Sequence, residues 1–155
     1  KTLSMSGRIV TDISIVDTNG DGKKEIVMSS TAQEPFYRGT AVYVYGQSNG
    51  EYVRTETFVI SELRWNSKLH VTDVNRDGLL DIVSTGYMPD TKILINDGKT
   101  FRVDESFQAP WDNKYAGVEM WDVNNDGRLD FIYTNHEQKL ITPNVLNVSV
   151  FVMFG

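Results

Sequence analysis

Three stretches of the chain place oxygen-bearing side chains at the same positions of a nine-residue loop. Each has Asp, Asn and Asp at positions 1, 3 and 5, glycine at position 6 and another acidic residue at position 9. Oxygens on alternate residues of a tight loop can converge on one hard cation, and calcium takes about six to eight oxygen ligands. The spacing therefore predicts three calcium sites, whose side-chain ligands are Asp17, Asn19, Asp21 and Glu25; Asp73, Asn75, Asp77 and Asp81; and Asp122, Asn124, Asp126 and Asp130.

A fifth ligand in each loop is expected from the backbone. The glycine at position 6 allows the chain to reverse and to turn the next carbonyl group inward. We expect these carbonyl ligands from Lys23, Leu79 and Arg128. An EF-hand starts in a similar way, but it requires Glu at position 12 and flanking helices. Position 12 is occupied here by Met28, Ser84 and Tyr133, and the flanking residues are strand-like.

The alternative to a metal site is a hairpin whose Asp and Asn side chains only bond the local backbone. Three copies with the last carboxylate in register favour calcium. Nine of the 21 acidic residues lie in these loops, and such crowding is unfavourable without a cation. Three calcium ions would also neutralise the formal net charge of -6.

The loops belong to a longer repeat. The segments ISIVDTNGDGKKEIVMSS, LHVTDVNRDGLLDIVSTG and VEMWDVNNDGRLDFIYTN align without gaps, and in each an apolar, strand-like run lies on both sides of the loop. A proline follows, and then further strand candidates: TAVYVYG and EYVRTETFVI, TKILIND and TFRVDESFQ, and LNVSVFVMFG. The unit is predicted to be a four-stranded antiparallel sheet, and no stretch has helical periodicity.

This pattern resembles the FG-GAP/VCBS repeat, the calcium-binding blade of integrin-α-like β-propellers. The resemblance rests on D-x-N-x-D-G-x-x-D/E between strands and on the run ILINDGKTF, and it covers nearly the whole chain. It implies an all-β propeller of four-stranded blades, which the repeats place at residues 7–61, 62–110 and 111–155. The third repeat ends after its third strand, and residues 1–6 lie at the offset of a fourth strand, which makes them a candidate closing strand. Glu25 departs from the family's Asp at position 9, which implies altered geometry or lower affinity at the first site.

Three repeats are fewer than a closed propeller needs. One interpretation is a segment of a larger propeller, and a start at Lys1 suits a mature or excised segment. The other is assembly with further copies of the chain, in which the N-terminal strand of one copy covers the open edge of the third repeat of another. Both remain open on the sequence.

Composition excludes several classes of function. There is no cysteine, and no run of Lys or Arg that would bind a phosphate backbone, so we expect no nucleic-acid partner. No apolar run approaches the roughly 18–20 residues of a spanning helix, so we expect no membrane insertion.

Few residues suggest catalysis. His70, Ser14 and Glu119 occupy equivalent strand positions, which reflects register rather than a triad. Exposed aromatic and polar residues in the connecting loops are better candidates for binding a glycan or a protein, although packing between blades is the plainer alternative. These candidates are Tyr37, Trp65, Tyr87, Trp111 and His136. The motif at Asn147 is a weak candidate for glycosylation.

The sequence thus predicts a non-catalytic, calcium-stabilised, extracellular or cell-surface module for adhesion, assembly or lectin-like carbohydrate recognition. The alternative is an accessory propeller segment of a larger polysaccharide-active enzyme or toxin.

Overall fold

The structure is a computed structural model that describes residues 3, 5–34, 38–62, 66–86, 91–107, 118–137 and 147–153. Within these ranges all regular structure is β, in 11 strands. The described residues contain no helix that is long and apolar enough to cross a membrane. The all-β class predicted from the sequence is confirmed.

The strands form three antiparallel sheets in chain order. The first sheet contains β1 (Arg8–Val16), β2 (Glu25–Ala32), β3 (Arg38–Ser48) and β4 (Glu51–Ser61). The second contains β5 (Asn66–Thr72), β6 (Asp81–Gly86), β7 (Lys92–Asn96) and β8 (Phe101–Val103). The third contains β9 (Val118–Trp121), β10 (Asp130–Glu137) and β11 (Asn147–Met153), which are the three strands predicted for this repeat.

Turn chemistry explains where the strands reverse. Asn49 and Gly50 both have positive φ, 52° and 75°, between β3 and β4. Two such residues form the tight turn whose twist matches a hairpin. Between β7 and β8 the carboxylate of Asp97 accepts the N–H groups of Lys99 and Thr100 at 2.9 and 3.0 Å.

The sequence prediction was wrong about the length of β8. A strand was expected over TFRVDESFQ, but β8 comprises only Phe101–Val103. The side chain of Asp104 accepts hydrogen bonds from both the N–H and the hydroxyl of Ser106, at 2.9 and 2.6 Å. This local turn competes with the ladder and ends the strand.

Each sheet has two faces, which we name by their direction along the chain. The leading face carries the side chains in phase with Ile13, Leu69 and Val118, and it points towards the preceding sheet. The trailing face carries the opposite phase and points towards the following sheet. The register puts Ile13 beside Met28, and Leu69 beside Ser84, on leading faces.

The core lies between the sheets. Trailing-face residues of the first sheet pack on leading-face residues of the second in one buried cluster: Val27, Val42, Val44, Ile60, Leu69, Ile82, Leu94 and Phe101. A second buried cluster joins the second and third sheets: Val83, Ile93, Ile95, Val118 and Phe131. Burial of this apolar surface holds successive sheets face to face.

Polar contacts also join neighbouring sheets. The carboxylate of Asp12 on β1 accepts the N–H of Leu69 on β5 at 2.8 Å. Glu56 on β4 accepts the hydroxyl of Thr100 and the N–H of Phe101, at 2.5 and 3.1 Å. These contacts fix how the second sheet sits on the first, because each aligns a charged group with a definite backbone or hydroxyl donor.

A third buried cluster is formed by side chains of the leading face of the first sheet. It contains Met28, Ala41, Tyr43 and Tyr45, and Met5 packs against it. Met5 also accepts a backbone hydrogen bond from Arg8 at 3.4 Å. The described part of the N-terminal segment therefore packs on the sheet that it precedes.

Candidate metal centres

The three acidic loops connect β1 to β2, β5 to β6 and β9 to β10, as the strand bounds show. In each loop the residues at positions 4 and 6 have positive φ. At position 4 these are Gly20, Arg76 and Asn125, with φ of 74°, 65° and 57°; at position 6 they are Gly22, Gly78 and Gly127, with φ of 82°, 89° and 79°. Two left-handed residues coil each loop tightly, and glycine adopts this conformation without strain.

The position-1 carboxylate of each loop binds the loop's own backbone. Asp17 accepts the N–H groups of Gly20 and Gly22 at 2.7 and 2.8 Å. Asp73 accepts the equivalent groups of Arg76 and Gly78 at 2.7 and 2.9 Å. The N–H of Gly22, helped by those of its neighbours, lowers the pKa of Asp17 below its ordinary value, so this carboxylate remains ionised.

In the third loop Asp122 accepts the N–H groups of Asp126 and Gly127, at 3.1 and 2.8 Å. The position-1 residue thus accepts the N–H of position 6 in all three loops, and its second donor is position 4 in the first two loops and position 5 in the third. This common arrangement follows from the shared loop sequence rather than from contacts that differ between the sheets.

Positions 3 and 5 repeat one arrangement in every loop. The Asn side chain accepts the N–H of the position-5 Asp at 2.9 Å in each loop. The position-5 carboxylate then accepts the N–H of position 7, which is Lys23, Leu79 or Arg128, at 2.8 Å each. In the third loop the Arg128 N–H, with Asn124 and the charges of Arg128 and Arg76, lowers the pKa of Asp126.

The position-9 acid plays a different part, because it is buried and the others are at the surface. Asp81 and Asp130 are fully buried, and each accepts the N–H of position 2, Val74 or Val123, at 2.9 Å. Asp81 also accepts the N–H of Asn96 on β7 at 2.8 Å. This carboxylate therefore ties its loop to the interior of its sheet.

Glu25 performs the same role with a longer side chain. It is buried, and its Oε2 accepts both the N–H and the hydroxyl of Thr18 at 2.9 Å. The position-9 side chain of the first loop is thus longer than in the other two loops, but it accepts the same backbone N–H, that of position 2. The loop geometry tolerates this substitution.

The loops are linked across the sheets by two residues that the sequence did not single out. The amide nitrogen of Asn96 donates to the carbonyl of Thr18 at 2.7 Å, joining the second sheet to the first loop. Arg76 in the second loop donates to the carbonyl of Asp126 in the third at 3.3 Å. In the sequence, the Asn-Asp-Gly run that begins at Asn96 indicates only a turn. The contact with Thr18 could not be predicted, because the two residues are 78 positions apart in the chain.

The donor chemistry of the loops suits a hard cation. All the side chains at positions 1, 3, 5 and 9 offer oxygen, and a carboxylate that accepts one N–H retains further lone pairs. Within the described residues, however, no group of three or more His, Cys, Asp or Glu side chains is close enough to hold a metal ion. The position-9 acid faces the interior, so an ion at the loop would draw first on positions 1, 3 and 5. The predicted ligand sets remain predictions.

The predicted ligand-binding residues fall largely outside the described ranges. Tyr37, Trp65, Tyr87 and Trp111 are among the residues that the structure does not describe. His136 was expected in a connecting loop, but this was wrong: it lies on β10, which extends to Glu137 because its backbone pairs with β11. The side chain of His136 is not described. The surface predicted from these residues is therefore untested.

A group of charged side chains lies where β5 and β9 meet. Lys68 forms an ion pair with Glu119, and the Lys68 side chain lowers the pKa of that carboxyl group. Next to them, burial lowers the pKa of His70, and Lys68 acts in the same direction. Glu119, Asp12 and a hydrogen bond to the backbone of Val118 act in the opposite direction but are smaller effects.

Three successive antiparallel sheets, packed face to face and each bearing the same acidic loop, define an all-β protein built from propeller-type blades. The FG-GAP-like repeat matches twice, over residues 17–84 and 73–133. These matches span most of the chain, which therefore belongs to the FG-GAP-like repeat family. No curated protein and no solved structure matches. Membership of this family makes the chain a propeller-type binding or adhesion module in general terms.

The buried position-9 acid should stabilise the fold even without metal. In excess EDTA, Asp81→Ala should lower the free energy of unfolding by about 2–4 kcal/mol, because two buried N–H groups lose a charged acceptor. The measurement is urea unfolding. Asp77→Ala is the control, since Asp77 is exposed, and it should cost less than about 1 kcal/mol. Equal, small losses for both variants would contradict the role assigned to Asp81.

His70 should make the fold less stable in mild acid. Its pKa in the folded chain is lower than 6.5, so below this pH the unfolded chain binds a proton that the folded chain does not. Stability should therefore fall as the pH drops through and below about 6.5. The urea midpoint measured between pH 7.5 and 5.5 should fall less for His70→Gln, which keeps His136. Equal pH dependence in both chains would exclude this role for His70.

Proposed function

We propose that the chain is a non-catalytic, calcium-stabilised binding module of an extracellular or cell-surface protein, acting in adhesion or assembly. The observation that carries the calcium part is the repetition of one loop geometry in three loops. In each, the Asp, Asn and Asp at positions 1, 3 and 5 bind successive backbone N–H groups and lie at the surface. A hairpin needs only one or two such side chains to reverse.

Calcium would act on the loops mainly by relieving repulsion. Each loop has two exposed or half-exposed Asp side chains at positions 1 and 5, beside a buried acid at position 9. A divalent cation bound to the outer oxygens would offset this negative charge. The left-handed residues and the Asx bonds already curve the backbone around positions 1 to 6.

The gain in stability follows from binding to the folded state alone. At a free calcium concentration ten times the dissociation constant, each site contributes about 1.4 kcal/mol. Extracellular calcium modules have dissociation constants of about 10⁻⁴ to 10⁻³ M, which suits the millimolar calcium found outside cells. We therefore propose an extracellular or cell-surface location, where sites of this kind would be occupied by calcium.

The partner of the module is proposed to be a glycan or a protein. Aromatic side chains beside polar groups bind sugar rings and protein surfaces through their flat apolar faces. The candidates are Trp65 and Tyr87, in the connections that follow β4 and β6. Catalysis is not proposed for this chain, because the loop carboxylates accept hydrogen bonds from the local backbone and are the proposed calcium ligands.

Calcium removal should lower the melting temperature, and calorimetric titration should give three ions per chain. Asp73→Asn removes one negative ligand and should reduce the count to two. Asp97→Asn is the matched control, because Asp97 also accepts two backbone N–H groups but lies outside the three loops. It should leave three sites. An unchanged melting temperature in EDTA, with no heat of calcium binding, would refute the calcium proposal.

Glycan recognition is tested by binding to an array of glycans with calcium present. The intact chain should bind a defined set of glycans, and Trp65→Ala or Tyr87→Ala should weaken that binding by tenfold or more, the loss of about 1.4 kcal/mol expected for one aromatic contact. Binding that both variants retain would exclude this surface. Turnover of a polysaccharide by the chain alone would overturn the non-catalytic assignment.

A further inference from the structure

A cavity of about 150 Å³ lies at the internal junction between the first and second sheets, beside the first acidic loop. Its inner wall consists of buried residues from both sheets: Thr18, Glu25, Val44, Asn96 and Phe101. Its outer wall includes Thr55 and Glu56 on β4, and Lys99 and Thr100 from the turn between β7 and β8. A space of this volume admits a group of about six non-hydrogen atoms.

The buried polar groups of the inner wall have already used their hydrogen-bond donors. The hydroxyl group of Thr18 donates to Glu25 at 2.9 Å. The side-chain nitrogen of Asn96 donates to the carbonyl groups of Thr18 and Leu80, at 2.7 and 3.1 Å. Because an amide nitrogen carries two hydrogens, Asn96 has no donor left for a ligand.

The hydroxyl groups of the outer wall are used in the same way. Thr55 donates to the carbonyl of Val44 at 3.1 Å, and Thr100 donates to the carboxylate of Glu56 at 2.5 Å. A hydroxyl group has one hydrogen, so each of these side chains can only accept a further bond.

Two carboxylates that line the cavity keep one oxygen for a ligand. Glu25 is only 6% exposed, and both of its bonds, from the N–H and the hydroxyl of Thr18, end on Oε2. Both bonds to Glu56 also end on Oε2. From the described part of the chain, no hydrogen bond reaches Oε1 of either residue. A carboxylate oxygen withdrawn from water without a donor is unfavourable, so a fitting ligand brings donors and positive charge.

The apolar part of the wall favours an organic cation over a metal ion. A hard metal ion takes about six or more oxygen ligands, whereas Val44 and Phe101 offer only carbon to the cavity. A guanidinium group is planar, carries several N–H donors along its edges and is weakly hydrated, and its flat face packs on apolar and aromatic side chains. An ammonium group is strongly hydrated and loses more on leaving water.

We propose that this cavity binds the guanidinium group of an organic cation, which donates to Glu25 and Glu56 and packs on Val44 and Phe101. The cavity borders the first acidic loop, but its two carboxylates are not the exposed ones at positions 1 and 5. The proposal therefore goes beyond the calcium-stabilised function and beyond the aromatic surface proposed for glycans. An arginine side chain of a partner protein and a small free guanidine compound offer the same chemistry.

The test is calorimetric titration of the whole chain with methylguanidinium, with methylurea as the neutral compound of the same shape. Methylguanidinium should bind and methylurea should not. Glu56→Gln should weaken the binding by about tenfold or more, because it removes a charged acceptor but keeps an oxygen for Thr100 and Phe101. Glu51→Gln is the matched control, since Glu51 is exposed on the same strand and lies outside the cavity wall. It should bind like the parent.

A substitution at the mouth of the cavity should have the opposite sign. Lys99 is exposed there, and its positive charge repels an incoming cation. Lys99→Met should therefore strengthen the binding by about two- to fivefold at low ionic strength. In amide NMR spectra, the shifts caused by methylguanidinium should centre on Gly46, Gly98 and Phe101, which line the cavity. Weaker binding by Lys99→Met, or shifts elsewhere, would contradict the assigned site.

The tripeptide Gly-Arg-Gly and its counterpart with neutral citrulline distinguish the two sources of the cation. Tighter binding of the arginine peptide than of methylguanidinium assigns the site to a partner protein, and rejection of the peptide assigns it to a small free compound. No binding of methylguanidinium, equal binding of methylurea, or unchanged binding by Glu56→Gln would overturn the proposal.

Repeating the titrations in EDTA and in calcium separates this proposal from the calcium proposal, because Glu25 is also the position-9 acid of the first loop. Methylguanidinium binding in EDTA, together with no heat of calcium binding, would support the cavity and refute the calcium part alone. Calcium binding in a chain that takes up no methylguanidinium in either condition would do the converse.

Discussion

The structure depends on one constraint: each sheet is apolar on both faces. Antiparallel sheets often leave one face in water, and their strands then alternate between apolar and polar residues. Here β2 and β3 are almost continuously buried, and β7 carries buried residues on both sides. Such a sheet needs a neighbour on each side, so the fold is a stack in which every interior sheet is covered twice. The face-to-face clusters between the sheets follow from this requirement.

The acidic loops fit the same constraint through the position-9 acid. A buried carboxylate is tolerated only when hydrogen bonds compensate its lost hydration. Asp81 meets this condition with two backbone N–H groups, one in its own loop and one on β7. The loop is consequently anchored to the second and third strands of its sheet, while positions 1, 3 and 5 stay at the surface. The structural role thereby falls to the position-9 acid, and the proposed calcium-binding role falls to carboxylates that look the same in the sequence.

The sequence predicted those features that repeat. The three loops, their flanking strands and the shared phase of Ile13, Leu69 and Val118 could be found because each occurs three times at constant spacing. The extent of β8 could not be predicted, because Asp104 and Ser106 form a local turn within a run of residues that otherwise favour a strand. The contacts of Arg76 and Asn96 could not be predicted either. Both residues bond loops that belong to a different sheet, and only the packing of the sheets brings these partners close. Glu25 looked like a departure from the pattern, yet its longer side chain reaches the equivalent backbone group.

The contacts between loops imply that the three candidate sites are not equivalent. Arg76 brings a guanidinium group to the third loop, where it contributes to lowering the pKa of Asp126. A fixed positive charge stabilises the ionised carboxylate but also repels an incoming cation, and these effects have opposite signs for calcium affinity. The first loop instead receives a neutral amide from Asn96, which binds a backbone carbonyl and adds no charge. Neighbouring sheets therefore influence loops of nearly identical sequence in different ways, and the packing of the stack, rather than the motif alone, sets the electrostatic environment of each loop.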